Sequence, residues 1–339
     1  MLGTMVFSSA EHVVQCGSDL SGVISHMKCI SVLLIVLFMS VSLLMPSSWA
    51  QSAYFMQQFQ AGMEGYQRGQ YAVAEKSFAA ALQEAEKLGA PDVQIARLLN
   101  NLAEVYRAEA KYTAAEPLYK RALTITERAL GPDSPEVARS LANLGELYRV
   151  QSRYAEADPF YKRAVAIDEK ARPNHPDLAT CLNDLALSYD KQGRTEEAEA
   201  LYKRALAIYE KTSGPDSSDV SAGLNNLAAL YEQQGKHEQA EPLFKRALTL
   251  SENTKGPNHP DVAYNLSNLA IVYEHEGKYS EAEPLYQRML AIREKALGPN
   301  HPLVAESLRN YAVFLRRTHR VAEAVRLEER AEAIGAQPR

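Results

Sequence analysis

Asparagine recurs at nearly constant spacing along this chain, and its side-chain amide is a group that can hold another polypeptide. The positions are Asn101, Asn143, Asn226, Asn268 and Asn310, with Asp184 in the equivalent slot. Successive slots are 42, 41, 42, 42 and 42 residues apart. Because an amide both donates and accepts hydrogen bonds, it can pair with a peptide backbone whatever side chains that backbone carries. The same amides could equally bond to neighbouring helices of their own chain.

Other reactive groups are spaced in ways that argue against catalysis and metal binding. Histidines recur in equivalent loops at His175, His259 and His301. Packed helices lie about 10 Å apart, whereas zinc–nitrogen bonds are about 2 Å, so we expect these histidines to shape turns and to bind no metal. The cysteines form no CxxC pair, and no GxSxG, HExxH, Walker or dinucleotide-binding sequence is present. We therefore predict a protein that is not an enzyme and needs no cofactor.

The asparagines lie at one point of a repeating sequence whose apolar spacing is helical. In one copy, Leu227 and Tyr231 are four residues apart and share one face of a first helix. Ala240 and Phe244 do the same for a second helix, after a polar turn that contains Gly235. A single pair of such helices leaves apolar surface uncovered, whereas stacked pairs bury it. A period near 42 residues therefore predicts a repeat architecture.

The alternation of small and large residues resembles the tetratricopeptide repeat, and the longer period resembles the kinesin light chain subtype. The resemblance is carried by Leu224-Asn225-Asn226-Leu227-Ala228 and by Ala240-Glu241-Pro242-Leu243-Phe244-Lys245-Arg246-Ala247-Leu248. It implies an all-α fold, a right-handed superhelical solenoid of stacked antiparallel helix pairs. We expect a degenerate first repeat over 51–91, the solenoid with a capping last unit over 92–331, and a tail over 332–339.

The same resemblance implies that the first helices line a concave groove, in which the recurrent asparagines hold an extended peptide. The implied peptide-binding candidates are Asn100, Asn101, Asn143, Asn183, Asn225, Asn226, Asn268 and Asn310. The alternative is that these amides bond neighbouring helices and hold the stack together. Both roles are open to one amide, since it has a donor and an acceptor.

Charged residues near the asparagines change sign along the chain. The basic candidates stand in the first two well-formed units and are Arg97, Arg107, Arg139 and Arg149. Acids take the place of Arg107 and Arg149 in later units, at Asp190, Glu232 and Glu274. Such a gradient could orient a peptide with an acidic end. The alternative is a solvated surface of mixed charge.

Lysine and arginine also recur side by side on the second helices, at Lys120-Arg121, Lys162-Arg163, Lys203-Arg204 and Lys245-Arg246. An acid precedes each lysine by four residues, at Glu116, Asp158, Glu199 and Glu241. Such pairs stabilise a helix by about 0.2–0.5 kcal/mol each, so we interpret them as structural. The net charge of −5 and the interleaving of opposite charges give no support for a nucleic-acid partner.

The N-terminal residues carry an export pattern. Met27 and Lys28 precede the apolar run from Cys29 to Met45, and small residues follow at Ser48 and Ala50. We expect the native chain to start at Met27, residues 1–26 not to be part of it, and 27–50 to be a signal peptide cleaved after Ala50. The protein would then be periplasmic or secreted. The alternative is an uncleaved inner-membrane anchor, although about 17 apolar residues are fewer than the roughly 20 a span needs.

These patterns predict a non-catalytic scaffold for protein–protein interaction that binds a peptide or protein segment in the groove. The alternative is a structural spacer or assembly factor that self-associates or acts through its terminal repeats. Contact with a membrane is expected only through the N-terminal segment, if that segment stays uncleaved.

Overall fold

The computed structural model describes residues 53–335, and every helix or strand assigned within them is an α-helix. The expectations about the native start, the signal peptide or anchor and residues 336–339 of the tail lie outside the described residues. The described chain falls into two compact units, residues 53–255 and residues 256–335, called the N-terminal and C-terminal units below. Within 53–335, no helix combines the length and apolar character that a membrane span requires.

The N-terminal unit is a stack of helix pairs joined by short turns. Its helices are α1 (Ala53–Gln67), α2 (Tyr71–Lys87), α3 (Asp92–Ala108), α4 (Tyr112–Leu130), α5 (Pro135–Val150), α6 (Tyr154–Ala171), α7 (Pro176–Lys191), α8 (Thr195–Thr212), α9 (Ser218–Gln233) and α10 (His237–Lys255). Each odd-numbered helix packs on the even-numbered helix after it, and each pair packs on the next pair. This arrangement confirms the predicted all-α repeat solenoid.

The C-terminal unit repeats the same construction. Its helices are α11 (Pro260–His275), α12 (Tyr279–Leu297), α13 (Pro302–Arg317) and α14 (Val321–Gly335). The pairs α11–α12 and α13–α14 pack internally, and α12 packs on α13. Val304, Leu308 and Ile334 are buried together between the last two helices.

Small residues on the first helix of a pair make room for an aromatic ring on the second. A Cβ atom built on Gly145 would lie 2.8 Å from the ring of Tyr161, and one on Gly62 would lie 2.7 Å from the ring of Phe78. Distances this short require the ring to move, so the absence of a side chain sets how closely the helices approach. Ala228 on α9 and Phe244 on α10 occupy the equivalent positions, and both are almost fully buried.

The turn after each first helix ends in a left-handed residue. Gly193 and Gly235 occupy this position with φ of 74° and 70°, where glycine carries no steric penalty. Ser152 adopts the same conformation with φ of 59°, although a side chain disfavours it. The shape of the turn is therefore imposed by the stack, even where the residue does not favour it.

The recurrent loop histidines begin the next first helix, as the turn-forming interpretation predicted. The Nδ1 atom of His175 accepts a hydrogen bond from the backbone N–H of Asp177 at 3.1 Å, and that of His301 accepts from Leu303 at 3.2 Å. His259 makes the equivalent bond to Asp261 at 3.2 Å. These bonds satisfy N–H groups that a helix start leaves without partners.

The predicted acid–lysine pairs on the second helices form in three copies and fail in one. Lys120 lies 2.6 Å from Glu116, and the pairs at Lys203 and Lys245 form in the same way. The prediction for Lys162 is wrong. The buried Asp158 carboxylate instead accepts a hydrogen bond from Ser188 at 2.7 Å and forms an ion pair with Arg194, in the turn between α7 and α8. The neighbouring arginines bridge successive second helices, as Arg121 does to Glu86 at 2.6 Å.

Candidate functional site

The asparagine slots fall at the same height of successive first helices. In the N-terminal unit, Asn101 lies on α3, Asn143 on α5 and Asn226 on α9, with Asp184 in the same slot of α7. All four side chains are partly buried, so each retains some access to solvent. In the C-terminal unit, the equivalent slots on α11 and α13 hold two further partly buried amides, Asn268 and Asn310.

Two arginines stand one helical turn before the first two asparagines. Arg97 precedes Asn101 on α3, and Arg139 precedes Asn143 on α5. These four residues are called the Arg–Asn patch. On the later first helices α7, α9, α11 and α13, the slot of the two arginines holds Thr180, Ala222, Tyr264 and Glu306. The combination of cation and amide is thus confined to α3 and α5.

Most polar groups of the Arg–Asn patch are not used by the protein itself. Across residues 53–335, the side chains of Arg97, Asn101 and Asn143 make no hydrogen bond or ion pair, and Arg139 has one contact of 3.3 Å, to Asp177. Burial, and then the like charge of Arg139, lower the pKa of Arg97 from its ordinary value. Two guanidinium groups held close together, with amides one turn away, favour an anionic ligand that also offers backbone groups.

The other two candidate arginines are committed to glutamates. Arg107 donates to both carboxylate oxygens of Glu104 and lies 3.4 Å from Glu146. Arg149 donates to Glu146 at 2.6 and 2.7 Å. Their charges are neutralised within the fold, which favours a supporting role over direct capture of a ligand.

Tyrosine hydroxyls complete this ionic arrangement. Tyr66 and Tyr119 donate to Glu104 at 2.7 and 2.8 Å, and Tyr161 donates to Glu146 at 3.2 Å. Burial by itself would raise the pKa of Glu104, but the hydrogen bonds and charge of Arg107, aided by the two hydroxyls, hold that pKa below its ordinary value. Glu104 therefore remains an ionised partner for Arg107 at neutral pH.

The amides farther along the N-terminal unit have structural partners. Asn226 donates from Nδ2 to the Oδ1 atom of Asn183 at 2.7 Å, which links α9 to α7. Asn225 donates to the backbone oxygen of Ser221, one turn earlier in its own helix, at 2.9 Å. Asn183 and Asn225 are buried. Helix-to-helix bonding, the alternative role for the series, thus operates at Asn226 and Asn183.

Asn100 differs from both groups. Its Oδ1 atom is buried and has no hydrogen-bond partner among the described residues. Asn100 precedes Asn143 by 43 residues, as Asn183 precedes Asn226, yet only the later pair forms the interhelical bond. The spacing of two amides along the chain therefore does not decide whether they meet.

The acids at the slots of Arg107 and Arg149 are not all free to repel or attract a ligand. In the C-terminal unit, Glu274 is buried, accepts a hydrogen bond from the Tyr286 hydroxyl at 2.8 Å and pairs with Arg317 at 2.9 Å. In the N-terminal unit, Asp190 lies 3.3 Å from Lys191. The predicted change from basic to acidic side chains exists in the sequence, but ion pairs and hydrogen bonds within the protein reduce the charge that these acids present to a ligand.

One recurring contact between consecutive helix pairs was not anticipated from the sequence. Tyr148 donates to the Glu116 carboxylate of the preceding second helix at 2.9 Å, and the Arg153 guanidinium lies over the Tyr148 ring at 4.4 Å. Tyr231 donates in the same way to Glu199 at 3.0 Å. The signal was available, since tyrosine recurs with the same period at 106, 148, 189, 231 and 273.

Comparison with known proteins agrees with the repeat architecture. The family model described as the tetratricopeptide repeat matches residues 94–170, 146–211, 219–295 and 261–337. No protein with a curated description matches the chain.

Solved structures place the chain among kinesin light chain-like repeats. BtubC (BKLC) from P. vanneervenii is 28% identical with a TM-score of 0.60, over 65% of this chain and 90% of that one. Nearly identical TPR-like repeats, described as those of a kinesin light chain from Podosopora anserina, are 27% identical with a TM-score of 0.54, over 60% and 97%. The apo form of RapI is similar in fold alone, at 13% identity and a TM-score of 0.61, over 83% and 97%.

Proposed function

The chain belongs to the tetratricopeptide repeat family, and we propose that it is a non-catalytic scaffold that binds an extended protein segment along the first helices of its N-terminal unit. The repeat fold supports an interaction role in general. The observation that carries the finer proposal is the Arg–Asn patch, in which the amides of Asn101 and Asn143 have no partner within residues 53–335.

The chemistry of the patch favours a particular kind of segment. The two amides suit a peptide backbone, because each can donate to a carbonyl and accept from an N–H group. Arg97 and Arg139 suit a carboxylate, which guanidinium groups bind through charge-assisted hydrogen bonds. The nearby glutamates Glu104 and Glu146 are already paired with arginines, which reduces their repulsion of an anion. We therefore propose a segment with an acidic side chain or a free carboxyl terminus.

Peptide selection followed by substitution tests the proposal. Peptides of random sequence displayed on phage are selected on the full chain, and their affinities are measured for wild type and for the double variant Asn101→Ala/Asn143→Ala. Each lost hydrogen bond is worth about 0.5–1.5 kcal/mol, so the double variant should bind about ten- to a hundredfold more weakly. Its melting temperature should stay close to that of wild type, since neither amide supports the fold.

Two further variants locate the ligand. Asn226→Ala is the matched control, because its amide bonds to Asn183, and it should lower stability more than affinity. Arg97→Glu/Arg139→Glu should discriminate against acidic peptides, and the wild-type affinity for them should fall with added salt. If the selected peptides bind Asn101→Ala/Asn143→Ala and Arg97→Glu/Arg139→Glu as tightly as wild type, the binding surface lies outside the Arg–Asn patch.

The alternative of a self-associating spacer has one supporting feature. Val321 and Val325 lie one turn apart on the last described helix, with 49% and 37% of their surface exposed. Sedimentation of the full chain over a range of concentrations tests this function. A dimer that dissociates in Val321→Glu/Val325→Glu would favour the spacer, whereas a monomer at all concentrations would remove it.

We also propose export, on the strength of the Lys28 to Ala50 pattern. N-terminal sequencing of exported protein should begin at Gln51 or within a residue or two of it. A stable membrane-bound product that retains the apolar run would indicate an anchor instead.

A further inference from the structure

Three carboxylates and two guanidinium groups alternate across the first helices of the N-terminal unit. Glu104 and Arg107 belong to α3, Glu146 and Arg149 to α5, and Asp184 to α7. We call this set the charged row. Each arginine is bonded to the glutamate three residues before it, and Arg107 also reaches Glu146. Asp184 makes no ion pair with any residue between 53 and 335, so the row carries one acid more than its cations balance.

Asp184 is surrounded by groups that do not replace the missing cation. Its own helix supplies a hydrogen bond from the Asn183 amide, and α9 supplies the neutral amide of Asn226, which is bonded to Asn183. The titratable and charged groups that face it are Glu146 and Arg149 of α5, Arg107 of α3, Tyr161 of α6, Cys181 of α7, and Tyr202 and Tyr209 of α8. The Glu146 carboxylate repels the negative charge of Asp184, and Arg107 and Arg149 are already bonded to glutamates.

We propose that Asp184 is a proton-controlled group of the groove, in which uptake of a proton by its carboxylate strengthens binding of an acidic segment; this inference rests on the proposed function. Asp184 occupies the slot that holds Asn101, Asn143 and Asn226 in neighbouring units. A protonated carboxyl group presents one O–H donor and one carbonyl acceptor, as an amide does. Protonation thus gives α7 a donor and an acceptor in the slot that Asn101 and Asn143 occupy on α3 and α5, and it removes a negative charge from the groove.

The electrostatic environment agrees with this position. Burial, and then the negative charge of Glu146, raise the pKa of Asp184 to about 7, against the opposing charge of Arg149. An aspartate in an unfolded chain has a pKa near 3.9. Between about pH 4 and pH 7, Asp184 is therefore protonated in the folded protein and ionised in the unfolded chain.

The sign of the effect on stability follows from this difference. Over the interval in which only the folded state binds the proton, stability falls as pH rises, and the contribution of this group is complete below about pH 4. Asp184→Asn keeps the shape and removes the titration. Relative to that variant, wild type should lose up to about 3 °C of melting temperature for each pH unit between 5.5 and 7.

The first experiment measures the proton itself. Full-length protein labelled with ¹³C at aspartate carboxyls is titrated by NMR, and the Asp184 resonance is assigned by its absence in Asp184→Asn. Melting curves of both proteins and of Asp190→Asn are recorded from pH 5.5 to 8. Asp190 lies on the same helix and pairs with Lys191, so its variant should keep the pH dependence of wild type. A resonance that titrates below pH 5, or equal pH dependence in all three proteins, overturns the inference.

The second experiment measures the consequence for binding. The probe is rhodamine-labelled hexaglutamate, whose carboxylates stay ionised between pH 6 and 8. Protonation removes one negative charge from the groove, so wild type should bind the probe about two- to fivefold more tightly at pH 6 than at pH 8. Asp184→Asn should bind it equally at both pH values.

The two experiments separate the two proposals. If Asp184 titrates near 7 but the probe binds at neither pH, the groove function fails and the proton site stands as a property of the fold. If the probe binds wild type and Asp184→Asn with the same dependence on pH, the role of this proton in binding is refuted. Arg97→Glu/Arg139→Glu, which should not bind the probe, establishes that the signal arises at the Arg–Asn patch.

Discussion

Glu146 joins the charged groups of α3 and α5, because it contacts both Arg107 and Arg149, and replacing it with glutamine should destabilise the N-terminal unit. Its carboxylate accepts two hydrogen bonds from Arg149 and one from the Tyr161 hydroxyl, and it lies 3.4 Å from Arg107. Glutamine keeps the volume but removes the charge. One of its two oxygen acceptors becomes a donor, which would face an arginine that can only donate.

The magnitude lies between those of exposed and buried ion pairs. Exposed pairs are worth about 0–1 kcal/mol, and breaking a fully buried pair costs about 3–5 kcal/mol. The side chains of Arg149 and Glu146 are 24% and 25% exposed, so we expect a loss of about 2 kcal/mol. Part of this loss is offset, because Asp184 ionises more readily without the charge of Glu146 and leaves Arg149 a nearby anion.

Urea unfolding monitored by circular dichroism, together with hydrogen exchange in α5 and α7, measures the effect of Glu146→Gln. Glu116→Gln is the control. Its ion-pair partner Lys120 is 54% exposed and glutamine keeps an oxygen acceptor for the Tyr148 hydroxyl, so the loss there should stay below about 1 kcal/mol. The melting temperature of Glu146→Gln should also depend less on pH than that of wild type. Equal losses in the two variants, with unchanged exchange in α5, would refute the assignment of Glu146 as a joining group.

Substitutions at three further residues test the architecture by the same unfolding measurement. Ser152→Gly should raise stability by about 0.5–1 kcal/mol, because φ at this residue is 59°, and a loss would contradict the strain. Ala240→Leu should cost about 1–3 kcal/mol by overpacking a fully buried contact, and wild-type stability would show that the helix register is wrong. His301→Ala should cost about 1 kcal/mol by removing the cap of α13, an effect that His301→Asn, which restores an acceptor, should largely reverse.

The stack itself could be predicted because it depends on periodicity, which a single sequence displays directly. Alanine and glycine facing an aromatic residue at fixed spacing specify a close helix pair, and a repeated pair specifies a stack. The glycines of the first unit were the exception. Glycine lowers the intrinsic helix propensity of α1, but Gly62 clears space for the Phe78 ring, as Gly145 does for Tyr161. Its role became visible only when the two helices were seen in contact.

The site was less predictable because the period locates a residue without naming its partner. Arg107 and Arg149 were identified as basic groove residues, yet Glu104 and Glu146 stand three residues before them, at a spacing that forms ion pairs on a helix. That pairing was within reach of the sequence. The bond from Asn226 to Asn183 was not, because it depends on the rotation and offset of two helices that a repeat length does not determine.

Equivalent positions therefore do different work according to what the neighbouring unit supplies. Where the adjacent helix offers an acceptor, as Asn183 does to Asn226, the recurrent amide holds the stack together. Where no such bond forms, as at Asn101 and Asn143 among residues 53–335, we propose that the amide is used to bind a ligand. The same reasoning applies to charge. Arginines that form ion pairs with glutamates support the fold, whereas Arg97 forms no ion pair in that range and interacts with Glu136 only at longer distance, which makes it our candidate to bind an anion. We therefore propose that this repeat array binds its ligand on α3 and α5, where polar side chains of the described residues are not satisfied by the chain itself.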